Sequence, residues 1–545
     1  MTNLKTLILS LLASVLAFAQ HPKLARDLDG SDPNATVNVI VRYKHTPTEA
    51  QHQKVRARGG IHHASLDLVR SGAYRIPAAR LRELADDPEV EHISPDRPVM
   101  AAGTTYASDY KLPAVNADIA QQYGWTGTGI GIAVIDSGIS DKPDLHGKSG
   151  NRIVYSQNFL TGGTGNDVYG HGTHVAGIAA GNGSNSQGVY AGVATNANLI
   201  NFLVLDQNGL SADSIIIAAI QRAIQLKSQY NIRVINLSLG RPVFESYTVD
   251  PLCQAVEAAW NAGIVVVVAA GNQGRNNSAN TGGYSTITAP GNDPYVITVG
   301  AMKTENTSAR SDDYIASYSS KGPTLFDHVV KPDLVAPGNR IVSVLGNNTL
   351  SQQFPGNTRN GAYFILSGTS MAAPMVSGAA ALLFQQNPNL TPDQVKARLM
   401  KTANKSFPAS SIATDPSTGT SYTSQYDIFT IGAGYLDIWA ALNNSDLSDT
   451  GKSALSPVAQ YDSTTGQVSV LFGSNIVWGD SGIWGTNVVW GTNVVWGTNV
   501  VWGTNVVWGT STMQGFNVVW GTSGIWGTSN ASSPETTSVA INGEN

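Results

Sequence analysis

The chain has little charge and almost no cysteine. Only 13% of its 545 residues are Asp, Glu, Lys or Arg, about half the roughly 25% of an ordinary soluble protein. The net charge of −5 and the pI near 6.1 give no electrostatic reason to propose nucleic-acid binding, which requires a basic surface. The single cysteine, Cys253, excludes an intramolecular disulfide. We therefore expect a fold that depends on core packing, with Cys253 as a buried structural thiol.

Long hydrophobic runs are also missing. The apolar run Thr6–Ala19 is shorter than the roughly twenty residues that cross a bilayer, and no later run is long enough, so we expect no transmembrane segment. Thr6–Ala19 follows Lys5 and ends in Ala17-Phe18-Ala19, which is typical of a secretory signal peptide. A buried N-terminal helix is the alternative. We expect residues 1–19 to be a signal peptide and the protein to be secreted, either extracellular or associated with the cell surface.

The chain does contain enough apolar surface for a large core. Hydrophobic residues make up 42% of it, and its length favours about three units. The first, residues 20–104, has a strand pattern over Val37–Tyr43. Thr46-Pro47-Thr48-Glu49 then predicts a helix that ends at Gly59-Gly60, and a second helix follows over Ala78–Leu84. These patterns predict a small α+β unit.

Residues 105–445 alternate short apolar runs with helical patterns, which predicts a parallel sheet covered by helices. We therefore expect a doubly wound α/β domain whose ligand chemistry lies at the carboxyl ends of its strands. The predicted strands are Ile130–Ile135, Val234–Leu237, Ile264–Ala270 and Tyr295–Val299, and the predicted helices are Val175–Ala180, Ile215–Ile224, Leu252–Trp260 and Met371–Phe384.

Two polar segments lie where the first of these strands ends and the first helix begins. Asp136-Ser137-Gly138 follows the strand directly, and in isolation it is a common turn. His171 opens the helix, with His174 three residues later. Two histidines at this spacing suggest a metal pair, but no third ligand pattern lies nearby. His174 is more simply a packed or hydrogen-bonded helix residue.

Two further segments end a strand or open a helix. Ala269-Ala270-Gly271-Asn272 brings an amide to the sheet edge, where Asn often satisfies a turn. Ser370 precedes an apolar helix. It is either an N-cap or a nucleophile, with the positive end of the helix dipole near a developing oxyanion.

Together these segments supply what acyl transfer requires: a hydroxyl nucleophile, an imidazole, an orienting carboxylate and an amide donor. Their motifs resemble those of the subtilisin-like serine proteases, the subtilase family, in the chain order Asp136, His171, Ser370. The resemblance covers residues 105–445. No Gly-x-Ser-x-Gly elbow surrounds Ser370, and no phosphate-binding loop occurs.

The resemblance implies a serine endopeptidase and gives each residue a role. Asp136 would hold the tautomer of His171, and His171 would act as general base and then as general acid. Ser370 would attack the scissile carbonyl. Asn272 and the backbone N–H of Ser370 would then stabilise the oxyanion.

The resemblance also implies substrate-binding residues, namely Ser238, Leu239, Gly240, Ala270 and Gly271. Ser238-Leu239-Gly240 would pair with extended polypeptide substrates by adding a strand. Residues 37–99 resemble a subtilisin propeptide, which acts as a folding chaperone and as an inhibitor. We expect a self-processing zymogen whose mature N-terminus falls between about Val99 and Tyr110.

The chemistry implied by the resemblance needs no cofactor. Whether the protein binds structural calcium is left open by the sequence, because Pro143-Asp144-Leu145 resembles a segment that supplies a calcium ligand in many subtilases. The other ligands would come from Gly181–Tyr190, whose spacing departs from the family pattern. No metal ligand is assigned.

The tail, residues 446–545, carries only seven charged side chains and a hexapeptide repeat over 475–528. Trp recurs at positions 478, 484, 490, 496, 502, 508, 520 and 526. In an extended chain every Trp would lie on the same face. One interpretation is a stack of strands without a ligand, such as a β-solenoid. The others are surface attachment or self-association and binding of polysaccharide or another flat ligand on a Trp platform.

A second hypothesis makes the chain a surface adhesin whose protease-like domain only binds peptides or matures itself. The presence of both His171 and Asn272 argues against an inactive domain.

Overall fold

The computed structural model describes residues 21–25, 28, 35–96, 109–148, 150–160, 166–278, 281–346, 349–415, 418–445, 453–462, 467–471, 488–490, 494–496 and 543–544. They belong to two units, Met1–Thr105 and Tyr106–Asn545. The predicted signal peptide and the expected mature N-terminus between Val99 and residue 108 lie outside the described residues. No helix among those residues is long and apolar enough to cross a bilayer.

The first unit contains β1 (Thr36–Tyr43), α1 (Glu49–Arg56), β2 (Ile61–Leu66), β3 (Ser71–Pro77), α2 (Leu81–Ala85) and β4 (Val90–Pro95). The strands form an antiparallel sheet in the order β2-β3-β1-β4. Every second residue of β1 from Val39 to Tyr43 is buried, and these side chains join Val55 of α1 in one core. The predicted α+β unit is confirmed.

Both predicted helices of this unit begin later than the sequence suggested. The N-cap of α1 is Thr48 rather than Thr46, because Gln51 completes a capping box by accepting the Thr48 N–H at 2.9 Å. The segment Ala78–Arg80 is a 3-10 turn, and the α-helix starts only at Leu81.

The second unit begins with α3 (Lys111–Ala114), α4 (Ala117–Gln122), β5 (Gly131–Asp136), β6 (Ile153–Asn158), α5 (His171–Ala180), β7 (Asn198–Leu203), α6 (Asp213–Tyr230), β8 (Ile232–Leu237), α7 (Pro251–Asn261), β9 (Val265–Ala269), β10 (Ile297–Lys303), β11 (Tyr314–Ile315) and β12 (Leu334–Pro337). It continues with β13 (Ile341–Val344), α8 (Thr349–Gln353), β14 (Thr358–Arg359), β15 (Tyr363–Leu366), α9 (Thr369–Gln386), α10 (Pro392–Thr402), β16 (Ser410–Thr414), β17 (Ser421–Gln425), α11 (Ile428–Ile431), α12 (Ile438–Asn443), β18 (Val458–Asp462), β19 (Gln467–Leu471), β20 (Val488–Trp490) and β21 (Val494–Trp496).

The central sheet has the order β11-β10-β9-β8-β5-β7-β6, with β12 also paired to β10. All of these pairings are parallel except that of the short edge strand β11. Helix α9 packs along β8, β9 and β10, and it pairs with α5, while α6 pairs with α7. Strands β5, β7, β8, β9, β10 and β12 are mostly apolar and buried, as coverage on both faces requires, whereas the edge strands β6 and β11 are partly exposed. The predicted doubly wound α/β fold is confirmed, although β6, β7 and β12 were not among the predicted strands.

The start of the tail belongs to the packing of this unit. Val458 bridges Val329, and Ala459 donates its N–H to the carbonyl of His328 at 2.8 Å. Ala454, Ala459 and Val468 are buried in the same core as the central sheet. The change in composition near residue 446 therefore precedes the point where core contacts end.

Two neighbouring hexads of the repeat form an antiparallel pair, β20 with β21, in the register Val488↔Trp496. The remaining hexads of 475–528 lie outside the described residues. A parallel β-solenoid would stack its strands in parallel, and the antiparallel pairing of these six residues does not follow that pattern.

Candidate active site

Asp136 and His171 meet at the carboxyl end of the sheet. Asp136 is the last residue of β5 and is fully buried, while His171 is the first residue of α5. His171 Nδ1 lies 2.8 Å and 3.0 Å from the two carboxylate oxygens of Asp136. An Nδ1–H donated to this carboxylate leaves Nε2 as the basic nitrogen. Burial lowers the pKa of His171, but the Asp136 carboxylate outweighs burial and raises that pKa above its ordinary value.

Ser370 lies in the first turn of α9, at the end of the segment that leaves β15. Its Oγ donates to the backbone carbonyl of Ser238 at 3.2 Å. In return Ser238 Oγ donates to the carbonyl of Ser370 at 2.8 Å. These bonds join the start of α9 to the end of β8, which places the Ser370 hydroxyl beside the predicted substrate-binding edge.

Asn272 follows β9, and Thr369 fixes its orientation. Asn272 Oδ1 accepts the backbone N–H of Thr369 at 2.9 Å and the Thr369 hydroxyl at 3.1 Å. Thr369 Oγ1 also accepts the N–H of Gly271 at 3.1 Å. Because the carbonyl oxygen is engaged, the amide NH₂ is the group that Asn272 presents. Sequence reasoning did not single out Thr369, whose position next to Ser370 was the available signal.

A cavity of about 470 Å³ has Ser370, Thr369 and Asn272 in its wall, whereas Asp136 and His171 do not appear in its lining. The predicted substrate-binding residues Leu239, Gly240 and Gly271 also line it, whereas Ser238 and Ala270 do not appear in its lining. Gly271 has φ +106°, and a Cβ there would approach both Ser320 and Thr288 to 2.8 Å, so only glycine fits. Other apolar lining residues were not predicted, and they include Val243, Phe244, Leu325 and Phe326.

The backbone of Leu239 and Gly240 is available for pairing with another strand. Among the described residues, neither makes a backbone hydrogen bond, while the neighbouring Arg241 pairs with Ala289 in both directions at 3.0 and 2.8 Å. An extended peptide can therefore add to this edge.

His174 lies in the interior rather than in the cavity. Its Nε2 is 3.1 Å and 3.0 Å from the carbonyls of Ile341 and Phe364, so this nitrogen carries the donated hydrogen. Burial lowers the pKa of His174 to about 3, which keeps it neutral. Among the described residues, no cluster of three or more His, Cys, Asp or Glu side chains could hold a metal ion. The interpretation of His174 as a hydrogen-bonded helix residue is confirmed.

Asp167 is a buried carboxylate that sequence reasoning missed. It accepts hydrogen bonds from Ser137 Oγ at 2.9 Å, Gly170 N at 2.6 Å, Thr173 N at 2.8 Å and Thr173 Oγ1 at 2.5 Å. Ser137 follows Asp136, while Gly170 and Thr173 flank His171. One side chain thus holds together the two segments that carry the Asp136–His171 pair. Its position four residues before His171 was the only sequence signal.

We expect Asp167→Asn to lower kcat by roughly tenfold to a hundredfold with little change in KM, because the introduced NH₂ would face N–H and O–H donors and shift His171 relative to Asp136. The measurement is steady-state kinetics on the fraction of active sites titrated by an irreversible inhibitor. An unchanged kcat per titrated site would show that Asp167 serves folding alone.

The residues around Asp144 do not fit calcium. Its Oδ1 accepts from Ser184 Oγ at 3.1 Å and from the N–H of Asn185 at 3.0 Å, and its Oδ2 accepts from the Tyr363 hydroxyl at 2.6 Å. The buried guanidinium of Arg152 lies alongside and donates to the Asp144 backbone carbonyl at 3.1 Å. Calcium needs several free oxygen ligands, which this donor-filled site does not offer.

We therefore expect EDTA to leave the thermal inactivation rate unchanged relative to a calcium-supplemented sample. The measurement is residual activity over time at a fixed elevated temperature, with a calcium-dependent protease as the positive control for chelation. A rate that rises several-fold in EDTA would contradict this interpretation of the Asp144 site.

Comparison with known proteins places the chain in a family. The model of the Subtilase family matches residues 127–434, which include Asp136, His171, Asn272 and Ser370. Serine protease AprX of Bacillus subtilis is 42% identical over 287 residues, which are 51% of this chain and 62% of AprX. Subtilisin E of Bacillus subtilis is 37% identical over 370 residues, which are 67% of this chain and 84% of subtilisin E.

A solved structure described as a cold adapted subtilisin-like serine proteinase is 29% identical, covering 56% of this chain and 89% of the other at a TM-score of 0.38. The family model alone covers more than half of this chain. The chain therefore belongs to the subtilase family of serine proteases.

Proposed function

We propose that this chain is a secreted endopeptidase, made as a self-processing zymogen, which hydrolyses extended polypeptides. The observation that carries this proposal is the pairing of His171 Nδ1 with the buried Asp136 carboxylate at 2.8 and 3.0 Å. Ser370 and Asn272 line one cavity with the edge where a peptide can add.

The first step uses the bond between Ser370 and Ser238. The Ser370 hydroxyl donates to the Ser238 carbonyl at 3.2 Å. A substrate that adds to this edge offers its own N–H to that carbonyl, which frees the hydroxyl to turn to His171 Nε2. His171 takes the proton as Ser370 attacks the scissile carbonyl, and it then gives the proton to the leaving amine. Asp136 holds the required tautomer and stabilises the imidazolium.

The oxyanion forms beside two donors. The NH₂ of Asn272 is oriented by Thr369, and the backbone N–H of Ser370 lies in the first turn of α9, where an N–H has no intrahelical acceptor. The hydrogen bonds from both donors to the oxyanion become stronger as negative charge develops on the tetrahedral intermediate.

The cavity favours bulky apolar substrate side chains. Among the described lining residues only Arg241 is charged, and it is neutralised by Asp213 at 2.8 Å and by Asp250 at 2.9 Å. The remaining wall includes Val243, Phe244 and Leu325. We expect cleavage after residues that this wall can bury.

The first unit is proposed to be the inhibitory propeptide, cut between about Val99 and Tyr110, and residues 1–19 the signal peptide for secretion. Its four-stranded sheet with two helices gives it a core of its own, as an independently folding chaperone needs. For the repeat tail, surface attachment, polysaccharide binding and self-association remain the proposed roles.

A fluorophosphonate probe tests the proposed function against the adhesin hypothesis. An enzyme with an activated serine reacts rapidly at Ser370, and peptide mapping locates the adduct. Absence of labelling in correctly folded, processed protein would favour a peptide-binding adhesin and contradict the proposed endopeptidase function.

The pH dependence of kcat/KM should follow the neutral form of His171. Since the pKa of His171 is raised above 6.5, kcat/KM should fall tenfold per pH unit below a midpoint above 6.5. Asp136→Asn removes the charge that raises this pKa, so the midpoint should move to lower pH while kcat falls by roughly 10⁴. The pair of His171 with Asp136 also stabilises the folded protein. This stabilisation is fully present at pH values below the pKa of His171 in the unfolded chain, and it is lost as the pH rises through the higher pKa of His171 in the folded chain. A midpoint that Asp136→Asn leaves in place would contradict this assignment.

A further inference from the structure

The far end of the tail lies in a buried polar site on the second unit. Glu544 is only 6% exposed, although it follows a repeat with almost no charge. Its Oε1 accepts from Arg275 Nη2 at 2.8 Å, from the N–H of Ser317 at 2.9 Å and from the Ser317 hydroxyl. The carboxylate is therefore held by a cation and two further donors.

The backbone of Glu544 is held as well. Asn339 Oδ1 accepts the N–H of Glu544 at 2.8 Å, and Asn339 Nδ2 donates to the Glu544 carbonyl at 2.9 Å. This two-point pairing recognises a peptide backbone in one direction and register. The side chain of Arg275 is 8% exposed, and Ser317 and Asn339 are 2% and 5% exposed, so the site is built into the domain. We call these three residues the anchor site.

The preceding residue fits only as glycine. Gly543 has φ +65°, and a Cβ there would approach Ser367 Oγ to 2.5 Å, Arg340 Cγ to 2.7 Å and Asn339 Oδ1 to 2.8 Å. The anchor site thus selects a Gly-Glu sequence by backbone conformation, backbone hydrogen bonds and charge together.

The anchor site is continuous with the segments that carry the candidate catalytic residues. Arg275 lies three residues beyond Asn272 in the chain, and Gly338, next to Asn339, accepts the N–H of Gly368 at 2.8 Å. Gly368 directly precedes Thr369 and Ser370.

We propose that the anchor site is a binding site for the Gly543-Glu544 segment of this same chain. The near end of the tail is attached through residues 453–471, so occupation of the anchor site attaches the chain between 471 and 543 at both ends. This inference concerns binding alone and stands whether or not Ser370 is the nucleophile.

Hydrogen–deuterium exchange of the full chain, inhibited to prevent self-digestion, tests the proposal at the amide of Ser317. Glu544→Gln and Gly543→Val should each speed exchange in the peptide that contains Ser317 by roughly tenfold or more, since tenfold corresponds to about 1.4 kcal/mol of docking free energy. Both changes lie in the tail, so the anchor site itself stays intact.

Glu535→Gln is the matched control, because it removes the same charge from the same tail nine residues upstream. It should leave the exchange of Ser317 as in the unmodified chain. Equal exchange in all four proteins, or an equal increase in the control, would overturn the proposal.

Discussion

Replacing Ser370 with alanine is expected to lower kcat for peptide hydrolysis by about a factor of 10⁶, the scale of losing a triad nucleophile. Asp136, His171 and Asn272 keep their partners in this variant, since none of their hydrogen bonds involves the Ser370 hydroxyl. Substrate should therefore bind with a similar Kd while no acyl-enzyme forms. Steady-state kinetics and direct binding of a peptide separate the two effects.

His171→Ala is the informative companion to this variant. If Ser370 and His171 act as one unit, the single changes cost about the same, and the double variant loses no more than either. Additive losses would mean that the two side chains do not share a proton in the rate-limiting step. The residual rate should come from Asn272 and from binding alone.

Truncation after Asp446 is expected to destabilise the second unit by at least about 4 kcal/mol. Several hydrogen bonds worth about 1 kcal/mol each are lost, together with the burial of Val468. The separate composition of the tail alone would predict that the same deletion leaves turnover of a short peptide unchanged. The structure differs because Ser456 donates to buried Asp333 at 2.5 Å and contacts Lys396 at 2.8 Å.

The cost of losing Ser456 is high because of the charges beneath it. Asp333 lies 2.7 Å from Lys331 and 3.2 Å from Lys396, and all three side chains are fully buried. Burial raises the pKa of Asp333, but the two lysines outweigh burial and hold that pKa below its ordinary value. Removing residues 447–545 would open this ion cluster to water and leave its polar atoms short of one partner.

Truncation after Leu471 is the matched control. It keeps β18, β19 and the Ser456 contacts, so turnover of a short peptide should persist. Thermal unfolding should show a Tm lower by roughly 5 °C or more for the chain ending at 446 than for the chain ending at 471. Equal Tm values would show that 453–471 adds no stability.

Periodicity and strand-end motifs were sufficient to predict the fold class. The runs ending at Ile135 and Ala270 are apolar throughout, which is typical of strands buried on both faces. The less apolar β6 was missed because the polar residues Ser156, Gln157 and Asn158 end its apolar run. The start of α1 was misplaced since Thr46 and Thr48 both have capping-box spacing, and only the fold selects between them.

The supporting residues of the site lay beyond prediction for a different reason. Asp167 and Thr369 act through contacts between segments far apart in the chain, and no local pattern reports such contacts. One sequence signal pointed to Glu544: it is one of only seven charged residues among the last hundred. Its partner Arg275 is 269 residues away, which only the folded chain reveals.

The fate of the N-terminal unit tests the central claim most directly. We would produce the chain and its Ser370→Ala variant in a protease-free system and determine the intact mass and N-terminal sequence of each. A self-processing endopeptidase predicts a cut between about Val99 and Tyr110 in the unmodified chain and an uncut junction in the variant. The same cut in both proteins would contradict the claim that Ser370 cleaves peptide bonds to mature this enzyme.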